Sequence, residues 1–227
     1  MYPQQKNAAQ TKVIFVNGIN YTQGDRYPIN FVSSLQALGY DASWAPAYGN
    51  GAVADAGDFT AEIGAYQLYK DQLAGNAYCA QMSAGTRGFS CPTDSTFHGG
   101  PYSSKLAEQI AANPPSGDLR LIGYSGGGSV VLNTALLLLD KGIKVKSIDL
   151  FGAPADPNLV KALQSKGVDI QFHAEPGDTT AGRPNAVAAG GGLAYQALFN
   201  GSPHSDYFRK DLINTVDGIT QEWGRTQ

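Results

Sequence analysis

The stretch Gly123-Tyr124-Ser125-Gly126-Gly127 holds residues whose types and spacing could carry covalent chemistry. A serine at the tip of a very tight strand-to-helix turn sits in a strained backbone, and its neighbours two positions away must be small for strand and helix to close on each other. Residues 119–122 read as a buried strand and residues 129–139 as a helix-like apolar run, so the motif stands between a strand and a helix. That is the setting in which G-x-S-x-G marks a nucleophile. A helix N-terminus aimed at Ser125 would favour the oxyanion that develops during acyl transfer. The competing readings are a plain Gly-rich turn and a phosphate-cradling loop. The second lacks the P-loop lysine and the spacing of the dinucleotide fingerprint.

A serine hydroxyl is a weak nucleophile until a base takes its proton. The chain offers three histidines, His98, His173 and His204. His173 alternates within an apolar strand and reads as structural. His98 lies in Phe97-His98-Gly99-Gly100, inside an irregular segment, and reads as a loop or substrate contact. His204, in Ser202-Pro203-His204-Ser205-Asp206, follows the last strand and precedes a helix. The acid candidates are Asp178, at a strand end in Pro176-Gly177-Asp178, and its rival Asp156. Asp206 stands too close in sequence to His204 to be a first choice. Each of these aspartates could also serve simply as a turn or helix-start residue.

The elements that must position these groups alternate along the chain. Strands are expected at Lys12–Val16, 40–48, 119–122, 145–151 and 168–174. Helices are expected at 28–39, 58–73, 103–112, 129–139, 158–166 and from His204 to about Trp223. Alternation of this kind implies an α/β fold with a mainly parallel sheet and helices on both faces. Residues 1–10 read as a loose terminus and 11–227 as one domain. Residues 74–104 are expected to form a disulfide-stapled cover over the site, and the Gly190-Gly191-Gly192 region a flap.

The formal net charge of −3, without blocks of like charge, gives no footprint for nucleic acid or a polybasic membrane anchor. No apolar run has the length of a membrane span. The two cysteines, Cys79 and Cys91, share the irregular segment and point to a disulfide that staples a loop; two free thiols are the alternative. A disulfide implies an oxidising compartment, hence a secreted or periplasmic protein. The N-terminus carries no signal-peptide core, so either the natural start lies outside this chain or export follows another route. Nothing at ligand spacing points to a metal, and the chemistry requires no cofactor.

In open α/β sheets, ligands bind at the carboxyl ends of the strands, which is where Asn17-Gly18-Ile19, Ser125 and Asp178 fall. From Val13 to Trp223 the chain resembles the α/β-hydrolase superfamily in a compact lipase- or esterase-like form: G-Y-S-G-G follows a strand, and serine, aspartate and histidine come in that order. The resemblance implies Ser125 as nucleophile, Asp178 as triad acid and His204 as base. It implies the N–H groups of Ile19 and Gly126 as oxyanion donors. Asn17-Gly18 stands where the family usually shows His-Gly, which makes Asn17 a substrate-side residue, and Tyr124 a packing residue or pocket wall. The implied activity is hydrolysis of an ester or lipid substrate. A thioesterase or acyltransferase, or a binding protein with a dead site on the same fold, are the alternatives.

Overall fold

The computed structural model describes residues 10–19, 26–48, 52–73, 96–174, 207–208 and 212–225. Asp178, His204, Asp206, the Cys79–Cys91 pair, most of the expected 74–104 cover and the Gly190 region lie outside the described residues.

Five strands form one sheet: β1 (Lys12–Val16), β2 (Asp41–Ala45), β3 (Leu119–Tyr124), β4 (Ser147–Phe151) and β5 (Asp169–His173). Their order is β2-β1-β3-β4-β5, and every neighbouring pair is parallel. The helices are α1 (Tyr27–Ala37), α2 (Ala52–Leu73), α3 (Pro101–Ala112), α4 (Gly127–Asp140), α5 (Pro157–Ser165) and α6 (Leu212–Arg225). The protein is therefore of the α/β class.

Strand side chains alternate between two cores. Ile14, Val16, Leu119, Leu121, Ile148 and Leu150 face a core with α2, α3, α4 and α5. Val13, Phe15, Ile122 and Phe151 face a second core with Phe31 of α1 and Val216, Ile219 and Trp223 of α6. Burial on both faces explains why the inner strands β1, β3 and β4 read as near-continuous apolar runs. Helix α4 is buried almost all round, because the sheet lies on one side and α2, α3 and α5 on the others.

Most element edges differ from expectation by a residue or two. Helix α2 begins at Ala52, ahead of the expected residue 58, since Ala52-Val53-Ala54-Asp55-Ala56-Gly57 has helix-forming alanines but little apolar periodicity. The expected helix from His204 is corrected more substantially. Tyr207 and Phe208 form a turn, and α6 spans Leu212–Arg225. Both adjacent rings are buried in one aromatic cluster, a demand poorly met by a helix with a single apolar face. Thr215 Oγ1 donates to the Tyr207 carbonyl at 2.7 Å and ties that turn to α6.

One buried carboxylate joins three helices. Glu62 of α2 accepts from the Tyr102 and Ser103 N–H groups at 2.7 and 2.9 Å and from Asn133 Nδ2 at 3.0 Å. It thus caps the start of α3 in place of a local side chain. Residue 100 is glycine, and a Cβ there would stand 2.6 Å from Glu62 Oε2. Burial, the largest influence, raises the Glu62 carboxyl above its ordinary value of 4.5, against opposing hydrogen bonds from Asn133, Ser103 and Tyr102. The folded state therefore binds this proton more tightly than the unfolded chain. The group's contribution is complete below the unfolded value and is lost as pH rises through the raised folded one. Glu62→Ala should cost roughly 3 kcal/mol in urea unfolding, because buried donors lose their acceptor. Glu62→Gln should flatten the fall in stability that begins near the ordinary carboxyl value and runs through the raised folded one as pH rises. Parallel pH profiles for wild type and Glu62→Gln would contradict this role.

Candidate active site

The chain leaves β1 toward β2 on one side, while β3 leads to β4 on the other, so the sheet changes direction between β1 and β3. A crevice opens at such a switch point, outside the carboxyl ends of the strands. Val16 is paired with Gly123, which carries Asn17-Gly18-Ile19 and Tyr124-Ser125-Gly126 out of the sheet side by side.

Ser125 has φ of 51°, left-handed for a non-glycine residue. Such a conformation costs on the order of 1–3 kcal/mol and persists only where its surroundings over-determine it. The surroundings here do so. The Ser125 N–H donates to the Phe151 carbonyl at 2.9 Å, and the Gly128 N–H donates to the Ser125 carbonyl at 3.0 Å. Helix α4 starts immediately behind. A Cβ at Gly123 would lie 2.6 Å from Gly128 Cα, and one at Gly127 would lie 2.6 Å from the Asn17 carbonyl oxygen. The two glycines that flank the serine in the motif are thus the points where helix meets strand. Ser125 itself is 4% exposed.

The loop after β1 lies directly against the serine. A Cβ at Gly18 would come within 2.7 Å of Ser125 Cβ and 3.2 Å of its Oγ. A Cβ at Gly126 would meet Ile19 Cγ1 at 2.8 Å. Ile19 and Gly126, the two expected oxyanion residues, therefore sit together beside Ser125, with Gly126 at the N-cap of α4. Helix N-terminal N–H groups carry partial positive charge, which suits a developing anion.

Asn17 has a different place from the substrate-side one expected. It is 0% exposed. Its Nδ2 donates to the Gly18 carbonyl at 3.0 Å and to the Ala47 carbonyl. Its Oδ1 accepts from Trp44 Nε1 at 3.0 Å and from the Ala47 N–H at 2.9 Å. Both donors and both acceptor positions are engaged, so the side chain ties the loop after β1 to the loop after β2. Tyr124 points to the opposite sheet face from α4. There it packs edge-on against Tyr27, Tyr207 and Phe208 at centroid distances of 5.6, 6.2 and 5.1 Å.

The rival acid and the other histidines have local employment. Asp156 caps α5, with Oδ1 accepting from the Asn158 N–H at 2.7 Å. His98 is exposed, and its carbonyl accepts from Ser104 Oγ. His173 stacks on Phe151 at 4.2 Å, with Nε2 2.9 Å from Asp149 Oδ1. Asp149 Oδ2 accepts from Trp223 Nε1 at 3.0 Å, and Arg120 stands 4.8 Å over the Trp223 ring. Burial lowers the Arg120 pKa from its ordinary value, opposed by nearby Asp118 and Asp149. Asp149, His173 and Glu222 are the described grouping with metal-ligand side chains, their ligand atoms within 4.8 Å of one another. Both Asp149 oxygens are already engaged by His173 and Trp223.

Sequence reasoning missed Tyr48. Its hydroxyl donates to the Gly126 carbonyl at 3.2 Å, and its own φ is 60°. No local pattern marks it, since its partner lies in a distant part of the chain.

Comparison with known proteins finds no matching family model, no matching curated protein and no matching solved structure. The fold and site define an α/β protein with a strained serine at a sheet switch point. Among the described residues, no helix is long and apolar enough to cross a membrane.

Asn17→Ala should leave Trp44 Nε1 and the buried Ala47 N–H without their acceptor and lower stability by about 2–3 kcal/mol in urea unfolding. An unchanged midpoint would contradict its role as the tie between the two loops.

Proposed function

We propose that this protein is a serine hydrolase of carboxylic esters, lipase- or esterase-like, on an α/β-hydrolase-like fold. The observation that carries the reading is the left-handed Ser125 between the end of β3 and the start of α4, with Gly18 and Ile19 alongside. A strained residue so firmly held is a mark of function.

In this reading Ser125 Oγ attacks the acyl carbon while His204 takes its proton. The negative charge on the former carbonyl oxygen is held by the N–H groups of Ile19 and Gly126. His204 then passes the proton to the leaving alcohol. A water activated by His204 attacks the acyl-enzyme, releasing the acid and restoring Ser125. Asp178 orients the imidazole and stabilises the imidazolium.

Two features support these partners. His204 is joined by a short covalent tether to Tyr207, which packs against Tyr124 beside the nucleophile. Asp178 follows β5, two strands from β3, whereas Asp156 already spends a carboxylate oxygen as a helix cap.

The test is hydrolysis of soluble short-chain esters. Wild type should turn them over, and Ser125→Ala should lose at least about 10³ in kcat, with His204→Ala losing a similar factor because triad members act as a unit. Asp178→Asn should lose about 10⁴, by holding the wrong tautomer. Asp156→Ala should keep its rate and lose about 1 kcal/mol of stability as a missing cap. Near-wild-type turnover in Ser125→Ala would overturn the reading. A rate loss confined to the Asp156 variant would move the acid there.

A further inference from the structure

Tyr48 and Ser125 are the described non-glycine residues with left-handed backbone, at φ of 60° and 51°. A bulky aromatic in that region is a genuine outlier, tolerated where neighbours hold it. The Tyr48 ring is 5% exposed and packs against Phe59 at 6.2 Å and Tyr102 at 4.9 Å. Its backbone N–H serves the Tyr102 hydroxyl, which donates to Asp58 Oδ2 at 3.1 Å. Burial first, then Asp58, pushes the Tyr102 hydroxyl up to about 12, so it remains a neutral donor. Helices α2 and α3 therefore hold Tyr48 in its strained state.

That conformation delivers the Tyr48 hydroxyl to the Gly126 carbonyl, 3.2 Å away. Gly126 has no Cβ to fix its orientation, and it follows the nucleophile directly. Around its Cα stand Ile19, Phe59 and Tyr48, which a Cβ would meet at 2.8, 3.1 and 3.2 Å. Two peptide planes meet at Gly126: the one with its N–H is held through the Ser125 carbonyl by the Gly128 N–H at 3.0 Å, and the one with its carbonyl needs a separate hold, since a glycine turns freely between them.

We propose that Tyr48 is a positioning residue for the oxyanion donor: its hydroxyl, bonded to the Gly126 carbonyl, fixes the Gly126–Gly127 peptide and with it the turn whose Gly128 N–H holds the Ser125 carbonyl, and so keeps the Gly126 N–H at the angle that meets the tetrahedral intermediate. The assignment rests on the serine-hydrolase reading. The bond acts on the transition state and leaves the ground-state complex alone, so its loss falls on kcat. Losing an oxyanion donor outright costs about 10²–10³; loosening one should cost less.

The experiment compares wild type, Tyr48→Phe and Tyr102→Phe on a soluble short-chain ester, with an alkyl boronic acid as probe of the tetrahedral state. Tyr48→Phe should lower kcat by roughly 10-fold with KM unchanged, and weaken boronate binding by a similar factor. Tyr102→Phe, which frees the Tyr48 backbone, should show the same pattern at smaller size. Unchanged kcat and boronate affinity in Tyr48→Phe would overturn the proposal. So would a loss of activity that only tracks a lower melting temperature, with KM rising. If Tyr48→Phe does not fold, wild-type kcat and boronate affinity in Tyr102→Phe overturn it. A wild-type enzyme that turns over no ester and binds no boronate sinks the hydrolase reading, and this inference with it. An active wild type beside a fully active Tyr48→Phe sinks this inference alone.

Discussion

The first turn of α4 lies closer to strands β1 and β3 than any side chain would permit. Gly123 and Gly127 mark the two contacts, and a Cβ at either would lie 2.6 Å from main-chain atoms of the opposing segment. Because helix and strand meet with so little between them, the linking residue has to turn within a single position, and that residue is Ser125. Its left-handed backbone follows from this approach. The same contact puts the start of α4 against the loop after β1, so Gly18, Ile19 and Gly126 assemble around the serine.

The two sheet faces divide the remaining work. On the α4 face, Tyr48, Phe59 and Tyr102 form an aromatic wall behind the elbow, with Glu62 joining α2, α3 and α4 beneath it. On the other face, Tyr27, Tyr124, Tyr207 and Phe208 pack together, attaching the segment before α6 to the strand that leads to Ser125. Near that cluster, Arg120, Asp149, His173 and Trp223 form a polar network that fastens α6 to the sheet. The serine is thus set between elements anchored on both faces.

What could be read from the sequence was local. The inner strands β1, β3 and β4 show as β-branched or apolar runs, and the elbow shows because its glycines and serine adjoin in the chain. The parallel α/β arrangement follows from the alternation of such segments. What could not be read depends on partners far apart in sequence. Asn17 looks like a pocket residue until its amide is found bonded to Trp44 and Ala47. Glu62 looks like a surface helix residue until α3 begins at its carboxylate. Tyr48 carries no local signal, and its meaning comes from Gly126. The turn at Tyr207-Phe208 was hidden because two adjacent aromatic residues ahead of an amphipathic stretch fit a helix as readily as a turn.

The central claim is that the Ser125 hydroxyl is activated. The most direct measurement is reaction of the native protein with a fluorophosphonate, followed by peptide mapping, since such a reagent needs an activated serine and an oxyanion site but no knowledge of the substrate. The account predicts one adduct per chain, located on Ser125 and abolished by prior unfolding. A native protein that forms no adduct, or one that carries it on another residue, would contradict it.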